Sequence, residues 1–486
     1  MPDHPPLHAA GALELAAWIR DGAVSSAEVV EAFLERIHRL DGGLSSFVTV
    51  YDDALAQARR KDRLRASGRP LPPFHGVPIG IKDLNVVRFR TTRFGSRALP
   101  RIPLPFDDRD VRVLRRAGFV IVGKLATSEL GALPFTEPDI HPPTRNPWDP
   151  SRTSGGSSGG SGAAVAAGLL PLAQGSDGAG SIRIPSSFCG LVGIKPSRGR
   201  IPNLFGLPDR RILYTSGPMA RTVSDAAALL DVMAGIDTGR THWAPPPARP
   251  FAERPARSPR LRFRMTLESR VTDTAPEVAA AVRETARLLE RLGHSVEEGS
   301  LPDTAIDDFL PLWQDLIGGM PLVRWSRAQP VTRWLHEGAL ANRRAGLDVA
   351  ARFDRLLATF APAFATADAW LMPTVAVTAP RVGALAGLAP RDAFLEAARL
   401  GAFTALVNLV GLPAVSLPAG LSAAGLPIGV QLVGSMFGEA DLLAVAWDLE
   451  EARPGRRLAP GYGDAAPPGD DAAGAGIRVA RFGQNG

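Results

Sequence analysis

The chain has 486 residues, of which 45% are hydrophobic and 21% are charged. This balance is typical of a globular protein and excludes a mainly disordered or fibrous chain. The single cysteine, Cys189, excludes an internal disulfide and a cysteine-based zinc site. The net charge of +6 comes from arginines spread along the whole chain, so the composition does not predict a nucleic-acid partner.

The sequence also gives no sign of export or of a membrane span. The N-terminal residues lack a basic segment followed by an apolar one, which predicts no secretory signal. The longest apolar stretch, residues 162–173, is too short to cross a bilayer and contains Gly168 and Pro171. We therefore expect a cytoplasmic protein without a membrane partner.

The predicted elements alternate between helices and strands. In chain order the pattern predicts two helices within residues 12–40, a strand over 76–81, a helix over 111–117, a strand over 120–122, a helix over 163–170, a strand over 191–194, a helix over 278–292, and strands over 415–417 and 428–433. Residues 138–162, rich in Pro, Gly and Ser, would suggest a linker, but they run directly into an apolar helix. The alternation predicts an α/β fold.

Lysine is scarce in a chain that otherwise uses arginine for positive charge. The four lysines are Lys61, Lys82, Lys124 and Lys195. Arginine keeps its proton under ordinary conditions, whereas a buried lysine can lose it. Lys82 follows the apolar segment 76–81 directly, so we single it out as a candidate base.

Two segments rich in glycine and serine, residues 155–162 and 175–185, carry the densest chemical signal. Glycine lets backbone N–H groups approach a ligand closely, and such groups before a serine can form an oxyanion hole. A phosphate-binding loop is disfavoured because neither segment ends in Gly-Lys-Ser/Thr. None of the eight histidines lies in a Gly-x-Ser-x-Gly context, so Lys82 is a better base for a nucleophilic serine than any histidine.

Residues 76–83 (GVPIGIKD), 155–202, 217–225 (GPMARTVSD) and 408–431 together resemble the amidase signature family. The resemblance covers about residues 10–455 and is weakest between 240 and 400. It implies an α/β fold with a large, mixed, twisted central sheet covered by helices on both faces. It also implies a single amidase domain over residues 1–455, with a variable substrate-shaping region at about 240–400. The Gly-, Pro- and Ala-rich tail, residues 456–486, is expected to be partly disordered.

The resemblance assigns roles to three side chains. Ser181 would be the nucleophile, Ser157 the bridge that passes its proton on, and Lys82 the neutral base. The bond between Gly156 and Ser157 would be a cis peptide. No cofactor and no metal are implied.

Further roles concern the surrounding loop. The backbone N–H groups of Gly178, Ala179, Gly180 and Ser181 would hold the oxyanion. Ala179 replaces a glycine that is common in the family, and its methyl group should matter only if its φ is positive. Ser158 would either orient Lys82 or satisfy the loop.

Asp177 and Arg183, which flank Ser181, are interpreted as structural. Asp83 is open to either interpretation, and Cys189 is expected to be a packed core residue.

Several shorter segments look closer to one branch of the family than to another. The segments at 82–87, 136–138, 145–148 and 195–200 resemble the branch that includes the 6-aminohexanoate cyclic-dimer hydrolase and general amidases. The resemblance thus implies an amidase that hydrolyses the C–N bond of an uncharged linear or cyclic amide. Its partner would be this small-molecule substrate, and a homodimer is left open.

Two alternatives remain. One is the ammonia-supplying component of a glutamine-dependent amidotransferase, which is disfavoured because Gly401 stands where that branch has an acid able to pair with the glutamine ammonium. The other is an amide-forming acyltransferase on the same fold.

The region between about 258 and 400 is expected to supply specificity. Phe309, Leu310, Trp313 and Trp334 are predicted either to line an apolar pocket or to pack in the core.

Overall fold

The protein was analysed as a computed structural model, which describes residues 5–202, 211–234, 244–320, 322, 324–455 and 458–463. The strands are β1 (Phe47–Val50), β2 (Pro78–Lys82), β3 (Val120–Leu125), β4 (Arg145–Asn146), β5 (Asp149–Thr153), β6 (Leu172–Asp177), β7 (Val192–Lys195), β8 (Thr215–Ala220), β9 (Arg262–Met265), β10 (Ser295–Glu298), β11 (Ala369–Pro373), β12 (Ala414–Leu421) and β13 (Pro427–Gly434).

The helices are α1 (Ala12–Asp21), α2 (Ser26–Leu40), α3 (Ala54–Ala66), α4 (Arg109–Arg116), α5 (Gly159–Ala166), α6 (Arg183–Cys189), α7 (Val223–Ala234), α8 (Pro276–Arg291), α9 (Ile306–Gly318), α10 (Pro330–Arg344), α11 (Val349–Phe364), α12 (Pro390–Ala398), α13 (Ala405–Val410) and α14 (Glu439–Ala452). Each predicted helix and strand has a counterpart here, so the α/β prediction is confirmed.

One mixed sheet of eleven strands organises the molecule. Its strand order is β1-β3-β2-β6-β8-β7-β12-β13-β11-β9-β10, and β4 and β5 form a separate two-stranded sheet. Strands β3, β2 and β6 run parallel, as do β11, β9 and β10, while the pairs between β6 and β11 are antiparallel. The residues of the central strands are largely buried, as expected for a sheet covered on both faces.

The two faces of the sheet can be followed along β3. Val120 and Val122 join a core cluster that also holds α5, whereas Ile121 joins the cluster that holds α1, α7 and α14. Alternate side chains of a strand point to opposite faces. Helices therefore cover both faces of the sheet.

The glycine-rich segment before α5 is an integral part of the fold rather than a linker. The helix was predicted over 163–170 but begins at Gly159 and ends at Ala166. Gly168 follows with a φ of 64°, a left-handed conformation that ends helices and that glycine adopts at little cost. Residues 155–170 are all buried, so the glycines provide close packing between α5 and its neighbours.

The C-terminal tail lies largely outside the described residues. Those of its residues that are described, 458–463, pack against the domain: the N–H of Ala459 donates to the carbonyl of Ala166 at 2.9 Å, and Arg36 donates to the carbonyl of Tyr462 at 2.9 Å. Within the described part of the chain, every helix is too short or too polar to cross a lipid bilayer.

The sheet also determines where polar groups meet. β2 and β6 are parallel neighbours, with Gly80 paired with Ala173. Their carboxyl ends therefore lie at the same edge of the sheet. Lys82 ends β2, and Ser176 and Asp177 end β6.

The core between α14 and the sheet provides a test of this packing. Leu443 is fully buried there, so Leu443→Ala should lower the free energy of unfolding by about 2–5 kcal/mol through lost burial and the cavity left behind. Leu340→Ala on α10 is the matched control, because Leu340 is 38% exposed and its truncation should change stability by less than about 0.5 kcal/mol. Urea unfolding of both variants would measure the difference, and equal losses would contradict the assignment of Leu443 to the core.

Candidate active site

Lys82 is buried at the carboxyl end of β2, among hydroxyl groups. Its Nζ lies 2.8 Å from Ser157 Oγ, 2.8 Å from Ser158 Oγ and 3.0 Å from Ser176 Oγ. Among the described residues no carboxylate forms an ion pair with it. Burial lowers the pKa of Lys82 to about 7, although the nearby charge of Asp177 acts in the opposite direction.

The acid next to Lys82 in the sequence is neutralised elsewhere. Asp83 Oδ1 lies 2.9 Å from Lys124 Nζ, and both side chains are almost completely buried. Lys124 comes from β3, where its neighbour across the pair is Ile81. The structure therefore gives Asp83 a structural partner, which the sequence left undecided.

Ser157 and Ser158 come from the turn that leads into α5. The Gly156–Ser157 peptide bond is cis, as the resemblance implied. Besides contacting Lys82, Ser158 Oγ donates to the carbonyl of Ser176 at 3.2 Å. Ser158 therefore both contacts Lys82 and hydrogen-bonds the loop backbone, so its position is compatible with either of the two interpretations.

Ser181 precedes α6 and lines a cleft. Its carbonyl accepts a hydrogen bond from the N–H of Ser158 at 3.2 Å, which joins the two glycine- and serine-rich segments. Its side chain is 8% exposed, and within the described residues its Oγ makes no hydrogen bond. The structure thus brings Lys82, Ser157 and Ser158 into contact and places Ser181 beside them, without a hydrogen bond between the Ser157 and Ser181 hydroxyls.

The backbone N–H groups before Ser181 differ in availability. The N–H of Gly180 donates to Asp177 Oδ1 at 2.7 Å, so it already has a partner. The N–H groups of Gly178, Ala179 and Ser181 form no hydrogen bond with the described residues. Of the four groups predicted to hold an oxyanion, these three are therefore the ones free to do so.

A buried ion pair holds this loop in place. The Asp177 carboxylate accepts side-chain hydrogen bonds from Nε and Nη2 of Arg183, each at 3.0 Å, and from Nδ2 of Asn408 at 3.0 Å. Burial by itself would raise the pKa of Asp177, but the Arg183 charge and its hydrogen bonds keep it at about 2. Arg183 also donates to Gln431 Oε1 at 2.9 Å and to the Thr404 carbonyl at 3.0 Å. The pair thus ties the loop to β13 and to the start of α13.

Thr404 contacts the loop from the other side. Its Oγ1 donates to the Ala179 carbonyl at 2.5 Å. Gly180 has a φ of 127°, and a Cβ there would collide with Thr404 Oγ1. The φ of Ala179 is not positive, so the methyl group at this position costs the backbone nothing.

The cleft beside Ser181 is apolar. None of the described residues that line it carries a charge. Three aromatic residues and seven alanines make up half of the described lining residues: Phe309, Trp313, Phe394, Ala132, Ala179, Ala305, Ala397, Ala398, Ala402 and Ala405. Such a surface favours an uncharged, apolar ligand.

The predicted pocket residues divide into two groups. Phe309 and Trp313 of α9 line the cleft, with their rings stacked 6.1 Å apart. Leu310 and Trp334 do not line it. The Trp334 ring instead packs against Phe394, which does line the cleft, with the two ring centroids 5.5 Å apart. Trp313 Nε1 donates to the Ala132 carbonyl at 3.1 Å, so this ring has both a polar and an apolar contact.

Sequence reasoning missed two polar groups that support Lys82. Ser176 supplies the third hydroxyl, and Gln174 Oε1 accepts from the Lys82 N–H at 3.2 Å. Both lie on β6, in the segment 172–177, which is too polar to be recognised as a buried strand. Asn408 and Gln431 were included in the quoted motifs, but their contact with Arg183 becomes visible only in the fold.

The Asp177–Arg183 pair leads to a testable expectation. Lysine cannot donate to Asp177, Gln431 and Thr404 together, so Arg183→Lys should leave buried partners unsatisfied and cost about 3–5 kcal/mol of stability. The control is Arg262→Lys at the exposed pair with Asp368, which should leave the melting temperature nearly unchanged. Thermal unfolding measures both, and a similarly small effect of the two changes would count against a role of Arg183 in holding the loop.

Comparison with known proteins agrees with this geometry. The family model described as Amidase matches residues 28–312 and 325–443. A putative amidase of a Synechocystis species is 38% identical over 92% of this chain and 89% of its own length. The 6-aminohexanoate-cyclic-dimer hydrolase of a Pseudomonas species is 37% identical over 90% of this chain and 93% of its own.

Two further similarities bear on function. A solved structure of 6-aminohexanoate cyclic dimer hydrolase has a TM-score of 0.84 at 33% identity and covers 94% of this chain and 99% of that one. A glutamyl-tRNA(Gln) amidotransferase component from Chromohalobacter salexigens is 35% identical over 93% of this chain and 98% of its own. The family match covers most of the chain and the fold agrees with it. This chain therefore belongs to the amidase signature family of hydrolases that act on carbon–nitrogen bonds.

Proposed function

We propose that the protein hydrolyses a carboxamide through an acyl-enzyme on Ser181, with Ser157 as proton bridge and Lys82 as base. The observation that carries this proposal is the environment of Lys82. A fully buried amine that contacts three hydroxyls and no carboxylate can be neutral near pH 7 and accept a proton.

In the first half-reaction, Ser181 Oγ attacks the carbonyl carbon and its proton passes through Ser157 to Lys82 Nζ. The tetrahedral oxyanion is held by the N–H groups of Gly178, Ala179 and Ser181, which have no other partner among the described residues. The C–N bond then breaks, and the proton returns from Lys82 through Ser157 to the leaving nitrogen. The products are a free amine and an ester on Ser181.

The second half-reaction repeats these steps with water. Water attacks the ester carbonyl while its proton passes to Lys82, and the carboxylic acid leaves as Ser181 regains its proton. Each cycle consumes one amide and one water and regenerates the enzyme. The role of Gly180 in this scheme is conformational, because its N–H is bound to Asp177.

We further propose that the substrate is an uncharged linear or cyclic amide. The cleft beside Ser181 carries no charge on the described residues that line it, which supports a neutral ligand. The similarity to a hydrolase of a cyclic amide points in the same direction.

Two alternatives use the same residues. An amidotransferase component would bind glutamine, but Gly401 lines the cleft where a carboxylate would be needed for the glutamine ammonium. Hydrolysis of glutamine in preference to uncharged amides by the purified chain would therefore overturn the proposal of an uncharged substrate. An acyltransferase would pass the acyl group to an amine instead of water, and assays with added amines would reveal it as a new amide product.

The acyl-enzyme predicts selective labelling. A fluorophosphonate should modify Ser181 and abolish activity, because it reacts with an activated serine in the oxyanion site. Ser181→Ala should remove both labelling and amide hydrolysis, whereas Ser67→Ala, at an exposed serine, should change neither. Labelling of a different serine, with Ser181→Ala fully active, would overturn the assignment.

If Lys82 acts as a neutral base, kcat/KM should depend on pH and should be lost when position 82 carries a permanent charge. The base works only when it is unprotonated, so kcat/KM should rise as the pH passes about 7 and level off above it, following the lowered pKa of Lys82. Lys82→Arg should be as inactive as Lys82→Ala, because arginine keeps its proton. If Lys82→Arg retained more than about a tenth of wild-type kcat/KM, a loss below ~1.4 kcal/mol in transition-state stabilisation, the lysine would be a fixed charge rather than a base.

A further inference from the structure

Gly401 lies in the turn between α12 and α13 and lines the cleft beside Ser181. Its backbone does not require glycine, because its φ is not positive. A Cβ built there would have only two neighbours within 4 Å, the Ala179 carbonyl oxygen at 3.5 Å and Thr404 Oγ1 at 3.9 Å. Both distances are ordinary van der Waals contacts, so neither the backbone nor the packing explains the absence of a side chain.

Gly180, which also contacts Thr404, is a glycine that the fold does require. Its φ is 127°, and a Cβ there would collide with the Thr404 side chain. At Gly401 the space around the position belongs to the cleft, so a side chain would extend into it. A residue whose only evident effect is to leave space in a cleft is a candidate determinant of ligand size.

The rest of the lining is apolar and mixes rings with small side chains. Trp313 packs its ring 3.2 Å from the position that a Gly178 Cβ would occupy, and Phe309 stacks on that ring. The helices α12 and α13 contribute three alanines together with Phe394 and Leu406. Because no side chain stands at Gly401, space remains next to the Ala179 carbonyl oxygen, which would lie 3.5 Å from a Cβ at that position.

We propose that Gly401 sets the size of the group that the cleft admits beside Ser181, and that this group is a bulky, uncharged apolar one, an aryl or branched alkyl substituent of the scissile amide. This inference rests on the proposed amidase function and adds the substrate class to it. A side chain at position 401 would occupy the volume that the substituent needs, and a charge there would be desolvated against an apolar ligand.

The test compares kcat/KM for acetamide, benzamide and acetanilide in wild type and Gly401→Leu. Wild type should prefer at least one aromatic amide to acetamide, and benzamide against acetanilide shows whether the acyl or the amine side occupies the cleft. Gly401→Leu should lose roughly 10–200-fold on that aromatic amide, the range expected for small steric differences in an apolar pocket, and less than about threefold on acetamide. Gly43→Leu, at a glycine with open space around it and outside the cleft, is the matched control and should change neither.

A second pair of variants separates charge from size. Aspartate and asparagine have nearly the same shape, so Gly401→Asp should reduce activity on the aromatic amide clearly more than Gly401→Asn. Should Gly401→Leu fail to fold, as judged by its melting temperature, Gly401→Ala replaces it and should show the same selectivity change on a smaller scale of about two- to fivefold.

Two results would overturn the proposal: a wild-type preference for acetamide, or equal losses on all three amides in the folded variants. Both results are measured as ratios of kcat/KM between substrates. A failure of the proposed function would instead appear as amide hydrolysis that survives Ser181→Ala, so the two failures are distinguishable.

Discussion

The arrangement of this site depends on the removal of one ammonium group from water without a carboxylate to compensate it. A buried lysine is stable only if its charge is paired or given up. At Lys82 the strand ends of β2 and β6 and the turn before α5 supply hydroxyls instead of a counter-charge. This choice of partners distinguishes Lys82 from a lysine in an ion pair, such as Lys124. It requires three segments of the chain to meet at one edge of the sheet.

The ion pair between Arg183 and Asp177, which flank Ser181 in the sequence, differs from Lys82 because each charge has a buried counter-charge. Arg183 and Asp177 are fully buried, and each has hydrogen bonds for its remaining polar atoms. A buried pair gives little net stability unless its geometry is fully satisfied. Its contribution here is to hold the loop: Asp177 accepts the N–H of Gly180, while the N–H groups of Gly178, Ala179 and Ser181 have no partner among the described residues.

The strands that could be predicted from the sequence are those marked by a run of mostly apolar residues. The strands β2, β12 and β13 consist mostly of apolar residues and were predicted, although β12 contains Ser416 and β13 contains Gln431. The last two strands at one end of the sheet, β9 and β10, are four residues long and carry exposed charged side chains, so no apolar run marks them. β6 was missed because its Gln174 and Ser176 side chains bind Asn85 and Lys82 rather than packing in an apolar core.

Composition was more informative about the site than periodicity was. Three of the four lysines, Lys82, Lys124 and Lys195, are at most 1% exposed, so their retention in an arginine-rich chain does mark burial. The sequence could not show which of them meets hydroxyls and which a carboxylate, because that depends on contacts between neighbouring strands. The roles of Ser157 and Ser181 came from family resemblance, since a serine among glycines has no distinctive pattern of its own.

The ion pair between Asp83 and Lys124 has a consequence for its neighbour in the sequence. Coulomb interactions are strong in a dry interior, so an unpaired carboxylate one residue from Lys82 would favour its protonated form. Lys124 balances that charge by pairing with Asp83 at 2.9 Å. The second lysine thus holds the acid that follows Lys82 in an ion pair of its own, so the two neighbours in the chain have separate partners: hydroxyls for the amine and an ammonium for the carboxylate.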